Sequence, residues 1–188
     1  AEAYPFHPPL NPLQIRLPLG KLRFSHFRTL LHSLDVESIR NRDKTRKLPI
    51  HMACQANAPV EVLSLLTEMD PTMLQIADYS GALPIHSLCG SGTPADYASV
   101  RFLVEHGGIG TLAARNRDGA MPLHVLCGST NPSLLIVQWL IQSFPGSVAA
   151  QTNRGQYPFM IAACEASTAS LSVVYELIRT SPHLEIPH

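Results

Sequence analysis

Three histidine–cysteine pairs are the residues of this chain whose types and spacing could do chemistry. Each pair follows the pattern His-x-x-Cys, and the pairs are His51/Cys54, His86/Cys89 and His124/Cys127. Imidazole and thiolate are ligands that zinc prefers, and two adjacent pairs could complete four ligands. A cysteine beside a histidine could also act as a nucleophile, provided that a third group held the base.

The pairs recur at a fixed interval, which favours packing over chemistry. The tetrapeptide Leu-Pro-Ile-His stands at 48–51 and 83–86, Met-Pro-Leu-His at 121–124, and Tyr-Pro-Phe-Met at 157–160. Copies about 35 to 38 residues apart are typical of stacked-repeat proteins. Adjacent repeats would lie ~10 Å apart, too far for zinc–ligand bonds of about 2.0–2.3 Å to a shared ion. We therefore predict no metal, no cofactor and no catalytic residue.

Other catalytic motifs point the same way. The chain has no Gly-x-Ser-x-Gly, no phosphate-binding loop and no dinucleotide fingerprint. Gly-Gly-Ile-Gly at 107–110 follows a predicted helix instead of preceding one, so we interpret it as a helix C-terminal stop. The sequence therefore predicts a protein that is not an enzyme.

Setting the four tetrapeptides in register divides the chain into repeating units. We predict four units, named unit one to unit four in chain order, at residues 43–77, 78–115, 116–151 and 152–188. A partial N-terminal repeat at 24–42 and a proline-rich extended arm at 1–23 precede them.

Each unit is predicted to open with a turn and to continue as two helices. In units two to four a small polar residue is followed three positions later by glycine, which suits a turn that needs positive φ; the pairs are Asp78/Gly81, Asn116/Gly119 and Thr152/Gly155. Unit one has Arg46 at the glycine position, so its turn is either strained or differently shaped. Proline then suits the first turn of a short helix. Apolar residues at i, i+3, i+4 and i+7 indicate a longer, amphipathic second helix.

A turn, a short helix opened by Thr-Pro-Leu-His, a connector and a longer helix make up the ankyrin repeat. Residues 24–188 resemble that family. The resemblance implies an all-α, ankyrin-like α-solenoid of about four to five helix-turn-helix repeats. It also implies that each histidine bonds backbone groups between turns, and that each paired cysteine occupies a small core position.

Two departures from the family pattern have structural consequences. The helix-capping threonine of the family is replaced by an apolar or aromatic residue in every unit, namely Leu48, Leu83, Met121 and Tyr157. Each lost cap costs about 0.5–2 kcal/mol, so we expect something apolar to cover these positions. Unit four also has Met160 in place of histidine, as a divergent terminal repeat would.

Composition narrows the class of partner. The chain has 188 residues, of which 45% are hydrophobic, and its 14 Lys and Arg balance 14 Asp and Glu. No apolar run approaches the ~20 residues of a membrane span. No aromatic platform accompanies the basic residues, which argues against single-stranded nucleic acid, and we expect no nucleic-acid partner. Cysteines in repeat register read as reduced thiols, so we expect an intracellular, reducing compartment.

Basic residues concentrate in the predicted turns, which suggests a binding surface. In the resembled family, partners meet the turn tips and the exposed side of the first helices. Carried onto this chain, that surface contains Lys44, Arg46, Lys47, Tyr79, Ser80, Arg117, Asp118, Asn153 and Arg154. Solvation alone also explains charged turns.

We expect a non-catalytic protein–protein interaction scaffold. It would be either an accessory subunit of a larger assembly or a targeting module, and its partner would be another protein with an acidic surface. The alternative is a metal- or redox-responsive module that uses Cys and His.

Overall fold

The computed structural model describes residues 40–164 and 168–181. The predicted arm at 1–23, most of the partial repeat at 24–42 and the last seven residues of unit four lie outside the described residues. Every regular element in the described ranges is helical, so the all-α prediction is confirmed for this part of the chain. The α-helices are α1 Pro49–Gln55, α2 Val60–Met69, α3 Pro84–Cys89, α4 Tyr97–Gly107, α5 Gly110–Ala113, α6 Pro122–Cys127, α7 Leu134–Ser143, α8 Pro158–Cys164 and α9 Thr168–Thr180.

The short first helices begin where the proline pattern predicts. Proline is the first residue of α1, α3, α6 and α8, a position at which its missing N–H is not needed and its fixed φ suits the helix. The residue before each proline in units one to three is extended, as at Leu48 with φ −80° and ψ 160°. This extended residue sets the start of the helix.

Helices of consecutive units pack on one another in chain order. The first helices form one row, in which α1 contacts α3, α3 contacts α6, and α6 contacts α8. The second helices form another row of α2, α4, α7 and α9. The core lies between the rows and consists of apolar side chains from every unit, among them Leu63, Leu66, Leu88, Leu103, Leu126, Leu140 and Leu177.

Three short helices after the second helices were not foreseen from the sequence. A 3-10 helix follows α2 at Pro71–Gln75 and another follows α7 at Pro145–Ser147. In unit two the predicted stop holds, because α4 ends at Gly107 and Gly108 takes φ +82°. The chain then forms α5, whose Leu112 is buried in the core.

No helix in the described part of the chain is long and apolar enough to cross a membrane.

Candidate functional site

The four turns that open the units share one hydrogen-bond scheme. The first side chain of each turn accepts a hydrogen bond from the backbone N–H two residues later. The donor–acceptor distances are 2.8 Å at Asp43, 2.8 Å at Asp78, 3.0 Å at Asn116 and 3.3 Å at Thr152. In each turn the fourth residue also donates its N–H to the carbonyl of the first. The first side chain of each turn therefore bonds the backbone of its own turn, as the sequence predicted.

Arg46 occupies the left-handed position that glycine fills in the other three turns. Its φ is 60°, against 75° at Gly81, 74° at Gly119 and 72° at Gly155. Its N–H donates to the Asp43 carbonyl at 3.0 Å, as its glycine counterparts do in their own turns. Of the two alternatives, the strained turn is therefore correct. A side chain in this conformation costs roughly 1–2 kcal/mol.

Backbone hydrogen bonds join the four turns into one ridge. The second residue of each later turn donates its N–H to the third residue of the turn before it. Tyr79 donates to Thr45 at 2.9 Å, Arg117 to Ser80 at 2.8 Å, and Asn153 to Asp118 at 2.8 Å. We call residues 43–47, 78–82, 116–120 and 152–156 the tip ridge. All nine predicted interaction residues belong to it, so the structure brings them together on one surface.

Most of these nine side chains are available to a partner. Only Lys47 is partly buried, and its Nζ donates to Gln55 Oε1 at 2.8 Å. Tyr79 is 60% exposed, and the Arg117 guanidinium lies 4.1 Å above the centre of its ring. That cation–π contact holds both groups in place on the ridge. The described ion pairs, such as Arg40–Asp70, involve no residue of the tip ridge.

The acidic side chains that begin two of the turns are held by internal hydrogen bonds. Partial burial alone would raise the pKa of Asp78. The Ser80 hydroxyl and the backbone N–H groups of Ala82 and Ser80 outweigh it, so the pKa is lowered. Asp43 behaves in the same way, and its donors come from Thr45 and Lys47. Because these two carboxylates accept hydrogen bonds within their own turns, they form no ion pair with the arginines and lysines of the ridge.

A groove runs beside the ridge, against the first helices of units one to three. Its volume is about 170 Å³, and its lining includes Lys47, Gln55, Ser80, Ser87 and Gly90. Ser87 was not predicted, although it directly follows the histidine of its helix in a position that faces the groove. The lining is mostly polar, with one cation at Lys47, one carboxylate at Asp78 and an apolar side chain at Val125.

The three histidines join the first helices to backbone carbonyls farther along the chain, and two of them bond the next unit. The Nδ1 atom of His51 accepts the Leu48 N–H at 3.2 Å within its own unit, and its Nε2 lies 3.1 Å from the Ala82 carbonyl of unit two. His86 repeats the arrangement with the Ala120 carbonyl of unit three, whereas His124 bonds the Ala150 carbonyl near the end of its own unit. Since Nδ1 accepts, Nε2 carries the proton and donates. Burial lowers the pKa of all three histidines, outweighing the carbonyls that favour the charged form.

The paired cysteines lie in the core. Cys54, Cys89 and Cys127 are buried, and burial raises the pKa of each thiol, to about 12 at Cys89. Cys164, which is out of register with them, is exposed. Both nitrogens of each paired histidine are already used in hydrogen bonds. Among the described residues, no group of three or more His, Cys, Asp or Glu side chains is arranged to hold a metal ion.

The residues at the missing caps are buried in units one to three. Leu48, Leu83 and Met121 are 1%, 9% and 7% exposed, and Tyr157 of unit four is half-buried. The backbone N–H of each is taken by Nδ1 of the histidine three residues later, the position from which a side chain in a capping box reaches back. The prediction that these positions are covered is confirmed for units one to three and holds only in part for Tyr157.

No protein-family model matches this chain, and a search of curated proteins finds no match in sequence.

Proposed function

We propose that this chain is an ankyrin-like α-solenoid that recognises another protein through its tip ridge and the adjacent groove. It has no chemistry of its own, and it serves either as an accessory subunit of a larger assembly or as a targeting module. Four units in the same register, with consecutive helices packed in two rows, support the solenoid. An extended ridge of exposed polar and aromatic groups supports recognition.

The observation that carries the proposal is Arg46. Glycine would serve its turn at lower conformational cost, as it does in the other three turns. Backbone strain that folding does not need concentrates at functional sites. We therefore infer that the positive charge of Arg46 contributes to binding a partner.

The charge of the ridge favours an acidic partner surface. Lys44, Arg46, Arg117 and Arg154 are exposed against one exposed carboxylate, Asp118, since Asp43 and Asp78 are occupied within their turns. Arginine and tyrosine are the residue types that most often anchor protein interfaces. The Tyr79–Arg117 pair near the middle of the ridge fits that role.

The metal- or redox-responsive alternative has less support. Cys54, Cys89 and Cys127 are buried, and their raised pKa values keep them as unreactive thiols. The histidines beside them have no free nitrogen. Packing and hydrogen bonds to the backbone account for all six side chains.

The test is lysine crosslinking of the 188-residue chain to proteins of its native source, followed by mass spectrometry. Apart from Lys21, the lysines of the chain are Lys44 and Lys47, both on the ridge. We expect crosslinks from these two to one acidic partner, and we expect Arg46→Gly to reduce them.

The matched control is Arg101→Gln, which removes an exposed arginine from α4, away from the ridge. It should leave the crosslinks unchanged. Equal loss in both variants would show that general charge, and not the ridge, holds the partner. If the crosslinks persisted in Arg46→Gly, Arg46 would not be needed for binding, and the proposal would lose its main support.

A further inference from the structure

The groove beside the tip ridge opens at unit two because that unit has small residues where its neighbours have larger ones. Ser87 and Gly90 of unit two occupy the register positions that Met52 and Gln55 take in unit one. Val125 of unit three is in register with Ser87 and also lines the groove. The groove therefore has a polar side toward unit one and an apolar side toward unit three.

Packing accounts for only one of these small residues. A Cβ at Gly90 would lie 3.0 Å from Val125 Cγ1 and 3.4 Å from the His86 carbonyl oxygen, so the close approach of α6 favours glycine there. Ser87 is half-buried and is no part of the core. A larger side chain at Ser87 would fill the groove without displacing a core residue.

Several side chains that line the groove can still donate hydrogen bonds. Lys47 Nζ donates to Gln55 Oε1 at 2.8 Å, which leaves two N–H groups on the ammonium and both N–H groups of the Gln55 amide. Asn116 Oδ1 accepts from the backbone N–H groups of Asp118 and Ala120, at 3.0 and 2.9 Å. Its amide nitrogen is therefore the end that remains. Donors already held by such contacts lose little freedom when they bind.

The groove also contains an acceptor. Asp78 Oδ1 accepts from the Ser80 N–H, the Ser80 hydroxyl and the Ala82 N–H, at 2.8, 2.6 and 3.0 Å. A carboxylate has lone pairs on both oxygens, so Oδ2 can still accept. The groove thus combines several donors with one acceptor, and the charges of Lys47 and Asp78 cancel.

We propose that the groove receives the main chain of an extended partner segment at a small residue, namely glycine, alanine or serine. This inference rests on the proposed function and names the form of partner that it needs. A peptide group carries one acceptor and one donor, so its carbonyl can accept from Lys47 or Gln55 while an N–H donates to Asp78. Acidic residues before and after the small one can then reach Arg46 and Arg117, which are exposed on the ridge.

Other occupants fit the groove less well. A carboxylate side chain would meet the like charge of Asp78, and a cationic side chain would meet Lys47. A large apolar side chain would bury the polar lining without partners. Sites that enclose a small-molecule ligand have volumes of about 300–1,000 Å³, whereas the groove has about 170 Å³.

Panning a phage-displayed library of random dodecapeptides against the 188-residue chain tests the proposal. We expect the enriched peptides to have a small residue between acidic ones. Ser87→Leu, which fills the groove, should raise the dissociation constant of the best peptide ~10-fold or more in fluorescence anisotropy. Gln55→Leu removes donors without a change of charge and should act in the same direction. Leucine in place of the small residue of the peptide should also weaken binding.

Ser64→Leu is the matched control, because Ser64 is also a half-buried helical serine but lies on α2, in the other row of helices. It should leave the affinity unchanged. Urea unfolding of each variant checks that the fold is intact. Because Gln55 is exposed, its variant still tests the groove if Ser87→Leu fails to fold.

Two results would overturn this inference and leave the proposed function standing. In one, Arg46→Gly or Arg117→Gln weakens peptide binding, whereas Ser87→Leu and Gln55→Leu do not, so the ridge binds without the groove. In the other, the library yields no peptide although the chain crosslinks to an acidic partner, which would then present a folded surface. If the library yielded no peptide and the crosslinking no partner, both proposals would be wrong.

Discussion

The first helix begins at a proline in all four units, but only units one to three have a histidine two residues later. Unit four has Met160 at that position. In unit four the N–H of Met160 still bonds the Tyr157 carbonyl at 3.1 Å, as the N–H of His86 bonds Leu83 at 2.9 Å. The short helix therefore begins correctly without histidine. What unit four lacks is the histidine side chain that bonds a backbone carbonyl farther along the chain. The comparison separates two roles, since proline and its extended predecessor start the helix, and histidine ties the helix to the backbone at or near the start of the next unit.

Replacing the histidine should have the largest effect on stability. In His86→Ala the Leu83 N–H and the Ala120 carbonyl lose their partners in a buried setting, each at roughly 1–3 kcal/mol. We expect a loss of about 2–4 kcal/mol in the free energy of unfolding. Met160→Ala, at the same register position, should cost less than about 1 kcal/mol because its side chain is exposed. Urea unfolding of both variants measures the difference. Similar losses at the two positions would contradict the division of roles.

The histidine bridges should also make stability depend on pH. Their pKa values in the folded chain are lowered below the unfolded value of about 6.5. Above that pH the histidines are neutral in both states, and stability is complete. As the pH falls below it, the unfolded chain binds protons first, so stability declines until the folded histidines titrate. The decline reaches at most about 1.4 kcal/mol per pH unit for each histidine.

Thermal unfolding between pH 7.5 and pH 5 measures this dependence. His86→Gln should reduce the slope of the unfolding free energy against pH by the contribution of one histidine. Met160→Gln should leave the slope unchanged, which ties the effect to the inner units. A slope that is the same in all three proteins would rule out the bridges as its source.

Much of this architecture could be predicted from periodicity and turn chemistry. The proline positions gave the starts of α1, α3, α6 and α8, and the missing caps implied buried residues at Leu48 and Leu83. The short helix α5 could not be predicted, because four residues carry no period and its stability comes from burying Leu112. The strain at Arg46 was left open, since an arginine in sequence does not reveal whether the turn adapts to it.

Leu83→Thr tests the apolar cap position. A threonine hydroxyl could cap α3 and add about 0.5–2 kcal/mol. The change also removes a leucine that is only 9% exposed, and large-to-small changes in a core cost about 2–5 kcal/mol. We expect a net loss of about 1–2 kcal/mol, read from the urea midpoint. Tyr157→Thr, at the half-buried equivalent in unit four, should lose less. A gain in stability at Leu83 would mean that burial matters less there than the missing cap.

Arg46→Gly should have the smallest effect, and it should be a gain. Relief of the left-handed conformation contributes roughly 1–2 kcal/mol, and the greater freedom of glycine in the unfolded chain offsets about 0.4–1 kcal/mol of it. The free energy of unfolding should therefore rise by up to about 1 kcal/mol. Gly155→Ala, in the equivalent turn of unit four, should have the opposite sign, although nothing lies within 4 Å of the added Cβ. The contrast would then come from the backbone alone.

Arg46→Gln separates strain from charge in the same turn. It removes the cation but keeps a side chain at φ 60°, so it should leave the urea midpoint nearly unchanged. Both variants should weaken binding of an acidic partner, whereas only the glycine variant should be more stable than the native chain. Such a result would mean that the first turn gives up stability for recognition, as the glycine turns of units two to four do not. If Arg46→Gly bound the partner as well as the native chain does, the strain at Arg46 would not contribute to binding. The difference between the first turn and the other three would then be structural only.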